Sequence, residues 1–303
     1  MFRTLLLPLL ALALVGCGAE KAHDDESLQK SMSGAPAGGE ANMRTVELSS
    51  AAGGRMFRMD LYVPPNPGPN LHRAVILIHG GGWVSGDRTS MEPIAYVLAE
   101  DGFLSATTDY AHAQPGQLWP AQLEDVRAAV RYIRSHAEEL KIDPTRIAAA
   151  GISAGGHLSM FLGVSDDKKN AVSSSVQAVG SISGILDLNL PLTPEGERYK
   201  IVQQLLGEGS TVDVAARKKA SPINFATKSS APVFFIQGKQ DPLVPPDQSE
   251  KAMARLKALG VDCKMVMVDG MGHGLDVSVN SQRAALDELA SWLKSKLEAE
   301  KAH

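Results

Sequence analysis

The segment Gly151-Ile152-Ser153-Ala154-Gly155-Gly156-His157, entered through the apolar run Ile147-Ala148-Ala149-Ala150, constrains the fold of this chain more than any other stretch. The run reads as a short buried strand and residues 156–163 read as a helix, which puts Ser153 on the turn between them. A strand that reverses into a helix within a residue or two brings two backbones close together, and only small side chains tolerate the approach. Gly151, Ala154 and Gly155 meet that demand. Such a turn forces an unusual backbone conformation on Ser153 and lifts its hydroxyl above the sheet. It also aims the free N–H groups of the helix start at any negative charge that forms beside it. A glycine-rich turn without chemistry uses the same residues, so the assignment rests on the rest of the chain.

Downstream of residue 44 the hydrophobic pattern is that of an α/β protein. Val46-Glu47-Leu48 and Phe57-Arg58-Met59-Asp60-Leu61-Tyr62-Val63 alternate apolar and polar residues, and Gly53-Gly54 between them predicts a hairpin. A proline-rich break over residues 64–69 follows, after which Ala74-Val75-Ile76-Leu77-Ile78 is apolar throughout, as in a strand buried on both faces. Helix-like and strand-like segments then alternate. A helix over 92–100 and a strand over 103–107 precede a helix over 120–140 in which Leu123, Val126, Val130 and Ile133 recur at helical spacing. Beyond the Ser153 turn come strands over 178–185 and 233–236, a helix over 249–259, a strand over 263–268 and a terminal helix over 281–297. The succession predicts a mainly parallel sheet with helices on both faces, with active-site residues at the C-terminal ends of the strands. Between about 187 and 230 no strand pattern appears, only a helical stretch near 199–206. This segment is expected to fold over the strand ends as a small cap, a packed surface loop being the alternative.

The N-terminus carries a different signal. Arg3 precedes an apolar run over residues 5–15, too short to span a bilayer as a mature helix and the right length for a signal-peptide core. The run ends in Leu14-Val15-Gly16-Cys17, which resembles the bacterial lipobox and implies cleavage before Cys17 and acylation of that residue. Gly18 in the next position, by resemblance to Gram-negative sorting rules, points to the outer membrane. The alternatives are an ordinary secretory signal cut near Ala11-Leu12-Ala13, leaving a soluble periplasmic or secreted protein, and an uncleaved anchor. Residues 18–43 mix charges with Ser, Gly and Ala without an apolar period and read as a flexible tether, which leaves 44–303 as the folded domain. The second cysteine, Cys263, then has no intramolecular partner and reads as a small residue packed in a strand. A net charge of −4 with both signs interspersed gives no basic stripe and excludes a nucleic-acid partner. Nothing in the sequence sets an oligomeric state.

A serine hydroxyl is a poor nucleophile without a base, and histidine is the side chain that exchanges a proton near neutrality. On a strand-turn-helix of this kind the partners follow in the order Ser, acid, His. Of the eight histidines only His273 and His303 come late enough, and His303 is the last residue. His273 sits in Gly270-Met271-Gly272-His273-Gly274, directly after a predicted strand. The acid belongs on a loop at a strand end, where Asp241 follows Val233-Phe234-Phe235-Ile236 closely; Asp269 and Asp187 are rivals. His79-Gly80-Gly81-Gly82-Trp83 follows the buried run 74–78 and offers bare backbone donors, so Gly81 and Gly82, with Ala154, are expected to form an oxyanion hole. His79 and His157 are expected to orient neighbouring loops. No metal-ligand, phosphate-loop or dinucleotide-binding spacing is present, so neither a metal nor a cofactor is expected.

Taken together, the His79-to-Trp83 stretch, Gly151 to His157, Asp241-Pro242-Leu243-Val244-Pro245 and Gly272-His273-Gly274 resemble those of an α/β-hydrolase-fold carboxylesterase. The likeness is greatest to hormone-sensitive-lipase-like esterases and to bacterial feruloyl and acetyl-xylan esterases, and it covers the chain from about residue 44 onward. It implies Ser153 as nucleophile, Asp241 and His273 as its triad partners, and Gly81 and Gly82 in the oxyanion hole. The expected substrate is a short-acyl ester, small or carbohydrate-linked. Two departures bear on the substrate and not on the chemistry. The cap is shorter than in many lipase-like members, and Ala111-His112 stands where relatives often carry arginine. An amide or peptide hydrolase of formamidase-like or prolyl-peptidase-like type is the competing enzyme, and a tethered non-catalytic binding protein is the competing class.

Overall fold

The computed structural model describes residues 42–50, 54–65, 73–166, 170–190, 197–209 and 213–298. The signal-like segment, Cys17 and the tether up to residue 41 lie outside the described residues, as does most of the proline-rich break. Eight strands form one sheet in the order β1-β2-β4-β3-β5-β6-β7-β8. They are β1 (Asn42–Ser49), β2 (Met56–Val63), β3 (Ala74–Ile78), β4 (Leu104–Thr108), β5 (Ile147–Ile152), β6 (Ala178–Ile182), β7 (Val233–Gly238) and β8 (Cys263–Val268). β1 and β2 pair antiparallel, as does β2 with β4, and every later pairing is parallel. The predicted hairpin therefore leads into a parallel sheet, with β1 starting two residues before the expected position 44.

Seven α-helices lie among the described residues: α1 (Glu92–Glu100), α2 (Ala121–Ser135), α3 (Ala154–Val164), α4 (Glu197–Leu206), α5 (Val214–Lys219), α6 (Asp247–Ala258) and α7 (Asn280–Glu298). Alternate residues of one strand point to opposite faces, so the apolar run of β3 feeds two cores at once. Ile76 and Ile78 pack with Val126 and Val130 of α2, Leu158 and Leu162 of α3 and Leu256 of α6. Val75 and Leu77 pack on the other face with Leu98 of α1 and with Leu286, Leu289 and Leu293 of α7. That is the reason the strand carries no polar residue.

Two predicted elements are shorter than expected. The helix over 120–140 stops at Ser135, and the chain turns so that Ala137, Leu140 and Ile142 join the core from a loop with Lys141 at φ 51°. The strand over 178–185 stops at Ile182 because Ser183 takes φ 49°, outside the extended range. The segment between β6 and β7, which the sequence reading makes a cap, has no strand among its described residues. It holds α4, α5 and a 3-10 turn at Pro222–Phe225, the latter two unmarked by any clear period in the sequence. Cys263 is part-buried at the start of β8, and burial raises its thiol pKa, in keeping with a packing residue.

β3 and β5 pair in register, Ile78 opposite Gly151, and both strands end at the same level, so the chain beyond each must share one narrow space. A Cβ on Gly155 would lie 1.9 Å from the Ile78 carbonyl oxygen, and one on Gly151 would lie 2.4 Å from the Gly155 carbonyl carbon. Gly155→Ala is therefore expected to destabilise the fold by at least the ~3 kcal/mol that marks the upper end of overpacking effects. Gly209→Ala, at an open position, is expected to stay within about 0.5 kcal/mol of wild type. Thermal melts of both variants check this, and a Gly155→Ala melt coincident with wild type contradicts the close packing at the turn.

Candidate active site

Ser153 occupies the single residue between β5 and α3, at φ 57° and ψ −116°. A non-glycine residue persists in this conformation only where its surroundings impose it. Here the Ser153 N–H donates to the Ile182 carbonyl at 2.8 Å, and its own carbonyl accepts the His157 N–H at 3.1 Å. The first bond ties the turn to β6 and the second begins the helix. Ala154 is the first residue of α3, where a backbone N–H has no partner inside the helix. Ser153 is buried, with 6% of the residue exposed.

Asp241 and His273 come from the loops after β7 and β8, the strands on the β6 side of β5. His273 Nδ1 lies 3.0 Å from Oδ2 and 3.2 Å from Oδ1 of Asp241. Oδ1 also accepts the backbone N–H groups of Leu243 and Val244, each at 2.8 Å. Burial opposes charge on this carboxyl, but the hydrogen bonds from His273, Val244 and Leu243 outweigh it and hold its pKa below the ordinary carboxylate value. An ionised Asp241 accepting from Nδ1 leaves Nε2 of His273 as the nitrogen free to take a proton. Among the described residues the Ser153 hydroxyl makes no hydrogen bond to His273, and catalytic hydrogen bonds are often unformed before substrate binds. Of the three acids proposed from sequence, only Asp241 meets the histidine among the described residues. Asp269 is exposed and pairs with Lys239 at 2.8 Å, and Asp187 accepts the Asn189 N–H at 2.9 Å.

The glycine loop lies against Ser153. A Cβ on Gly80 would stand 3.4 Å from the Cβ of Ser153. Gly81, at φ 103°, has no room for a side chain, since a Cβ would fall 2.1 Å from the Ser85 carbonyl oxygen. Its carbonyl accepts the N–H groups of Val84 and Ser85, both at 3.1 Å, which closes the loop into a tight turn. Gly82, at φ 59°, faces Ile201 of α4, so the segment between β6 and β7 reaches this loop directly. His79 is buried, with Nδ1 2.7 Å from the Gly80 carbonyl and its ring stacked 4.1 Å from that of Tyr110; burial lowers its pKa. The loop-orienting role expected of His79 is what these contacts describe.

Two positioning residues have weaker signals in the sequence. The Tyr110 hydroxyl donates to the carbonyls of His79 and Gly80, at 3.1 Å each, and clamps the start of the glycine loop; its only mark is an aromatic residue just past a strand end. Gln237 is a buried polar residue closing the apolar run of β7. It accepts from the Ser249 hydroxyl at 2.9 Å and donates to the Val244 carbonyl at 3.0 Å, which fixes the loop that carries Asp241. On the far side of Tyr110 is a polar cavity of about 360 Å³, lined by residues including Arg55, Asp87, Asp109, His112 and Gln117; none of Ser153, Asp241 and His273 lines it. No cluster of three or more His, Cys, Asp or Glu side chains fit to hold a metal occurs among the described residues.

Comparison with known proteins follows the same lines. Esterase LipC of Mycobacterium tuberculosis is 32% identical over 227 residues, covering 71% of this chain and 55% of that protein. The isoprenylcysteine alpha-carbonyl methylesterase ICME of Arabidopsis thaliana is 24% identical over 256 residues, covering 80% of this chain and 60% of its own. The chain spans about half the length of the curated relatives it matches. Among solved structures, a truncated carbohydrate esterase from gut microbiota superposes with a TM-score of 0.75 at 25% identity, covering 87% of this chain and 99% of that one. Esterase Est2 of Thermogutta terrifontis superposes with a TM-score of 0.71 at 23% identity, covering 87% and 95%. These likenesses establish the α/β-hydrolase fold. The BD-FAE family model matches residues 59–256, a span that runs from β2 through the glycine loop, the Ser153 turn and Asp241 into α6, and the chain belongs to the BD-FAE family.

Proposed function

We propose that this protein is a serine hydrolase that cleaves short-acyl carboxylic esters through an acyl-enzyme. The observation that carries the reading is the Asp241–His273 pair, hydrogen-bonded at 3.0 Å on loops that follow two strands of the sheet whose β5 ends in the strained Ser153 turn. In this scheme His273 Nε2 takes the Ser153 proton as Oγ attacks the carbonyl carbon. The Asp241 carboxylate holds Nδ1–H and stabilises the imidazolium that results. The N–H groups of Gly81, Gly82 and Ala154 receive the oxyanion of the tetrahedral intermediate. His273 returns the proton to the departing alcohol, and a water molecule, activated by the same imidazole, then attacks the acyl-serine to release the acid. No cofactor enters. The names of two structural neighbours, the gut carbohydrate esterase and an acetyl ester-xyloside hydrolase of Caldicellulosiruptor lactoaceticus, support an acetylated carbohydrate as the substrate.

Ser153→Ala is expected to abolish labelling by a fluorophosphonate, and it and His273→Ala to lower turnover of an activated ester by on the order of a million-fold. Asp241→Asn loses the charge that holds the imidazole tautomer and is expected to cost roughly ten-thousand-fold. Asp241, held below the ordinary carboxylate range by its hydrogen bonds, is expected to stay ionised in mild acid, so that its own protonation does not limit kcat/KM there in a rate–pH profile. Turnover by folded Ser153→Ala sinks the reading, and preferential cleavage of a formylated amine or a proline peptide makes the protein an amide hydrolase instead.

The small cap, with Ile201 already against Gly82, leaves little apolar wall for a long chain, and each buried methylene contributes only ~0.8 kcal/mol. Acetyl and butyryl esters are therefore expected to be cleaved with higher kcat/KM than decanoyl esters. A rate series over acyl length checks this, and a maximum at decanoyl contradicts it.

The lipobox-like run ending in Cys17, followed by the tether, supports an exported protein anchored by lipid to the cell envelope, at the outer membrane. Cys17→Ser is expected to move the protein from the membrane fraction to the soluble periplasm. Wild type found soluble there argues for an ordinary secretory signal.

A further inference from the structure

The ester-cleavage scheme leaves two buried imidazoles unused, those of His79 and His157, and the second joins more of the site. His157 stands in the first turn of α3, and its backbone N–H bonds to the Ser153 carbonyl. Its side chain makes two hydrogen bonds. Trp83 Nε1–H donates to Nδ1 at 3.3 Å, and Nε2 lies 2.7 Å from the Ala220 carbonyl oxygen. An indole nitrogen only donates and a carbonyl only accepts, so these partners require a single form of the ring: neutral, with its proton on Nε2. Burial supports that form, lowering the pKa to about 4.

Both partners belong to elements that matter for catalysis. Trp83 directly follows Gly82 in the glycine loop. It is fully buried and sits at φ 63°, a conformation that a bulky L residue keeps only when its surroundings over-determine it. Its carbonyl accepts the Ala113 N–H at 2.7 Å, and its ring meets that of His157 edge to face at 4.9 Å. Ala220 closes α5 in the segment between β6 and β7, and Trp119 packs on the same imidazole at 5.2 Å. One ring thus touches the nucleophile helix, the oxyanion loop and the cap.

We propose that His157 is a positioning residue for the reaction: its Nδ1 holds Trp83, and with it the Gly81 and Gly82 donors, while its Nε2–H holds the cap over the site through Ala220. The proposal rests on the ester-hydrolase reading. The two nitrogens have separable consequences. Loss of the Trp83 bond misplaces donors needed in the transition state and acts on kcat. Loss of the Ala220 bond loosens a wall of the substrate pocket and acts on KM.

The test uses the full-length chain and an acetyl ester, with kcat counted per site titrated to completion by a fluorophosphonate, so that misfolded protein does not enter. His157→Gln keeps an N–H where Nε2 was and loses the acceptor for Trp83. Its kcat is expected to fall by between about tenfold and a hundredfold with KM little changed, the range set by small misplacements and by oxyanion donors. Trp83→Phe, which deletes the same bond from the other side, is expected to match that loss, and the double variant to add nothing further. His157→Asn places an amide oxygen where Nδ1 was and cannot reach Ala220, so it is expected to recover most of kcat while KM rises several-fold. Wild-type kcat per titrated site in His157→Gln and Trp83→Phe overturns the proposal, as do losses that multiply in the double variant. If a His157 variant does not fold, Trp83→Phe alone decides. Wild-type protein that neither labels nor turns over any ester is a distinct result, which overturns the ester-hydrolase reading and this proposal with it.

Discussion

The approach of two backbones at the ends of β3 and β5 is the constraint on which the rest of this structure depends. The strands run parallel in register, and both chains leave the sheet at once, one into the glycine loop and one into α3. Since a Cβ on Gly155 would meet the Ile78 carbonyl at 1.9 Å, helix and strand are in backbone contact, with no layer of side chains between them. This closeness makes the turn at Ser153 sharp, puts the start of α3 beside its hydroxyl and brings Gly80 against it. The Ser153 turn, the helix start beside it and the glycine loop against it are three results of one packing demand. A site on ordinary loops would need separate contacts to bring them together.

Around that centre the polar side chains serve mainly to hold backbone. Tyr110 bonds to two carbonyls of the glycine loop, and Gln237 bonds to the Val244 carbonyl and the Ser249 hydroxyl. Asp125, buried on α2, accepts the Ala111 N–H at 2.8 Å and pairs with Arg55, which ties down the loop after β4. Arg88 spans Asp60 at 2.7 Å and Asp109 at 3.1 Å, linking the 3-10 turn before α1 to β2 and to the end of β4. Each of these charges is paired, as burial demands, and removing one partner would cost more than the pair contributes. Their common effect is to leave few ways for the loops above the strand ends to move.

The electrostatics divide along the same lines. Asp241 is kept ionised despite its burial because amide N–H groups and His273 surround it. His157, fully buried, is kept neutral because desolvation outweighs the pull of the Ala220 carbonyl toward the charged form. The two groups show that burial alone does not set charge. What decides it is whether hydrogen bonds to the charged form outweigh its desolvation, as they do at Asp241 and do not at His157.

Much of this was legible in the sequence, and the exceptions have physical causes. Unbroken apolar runs such as Ala74 to Ile78 named the parallel strands, because a strand covered on both faces has no place for a polar residue. The small residues around Ser153 named its turn, because backbone contact admits nothing larger. The loop positions of Asp241 and His273 could be read from where the apolar runs before them end. Local patterns of this kind are written wherever a short-range steric or hydrophobic demand acts on consecutive residues. The contact of Asp241, rather than Asp269 or Asp187, with His273, the clamp by Tyr110, and the Ala220 carbonyl at the end of α5 on His157 appear only in the tertiary structure. They are hydrogen bonds between residues tens of positions apart, and a hydrogen bond needs only one donor and one acceptor at the right distance, a condition that leaves no periodic trace in either segment.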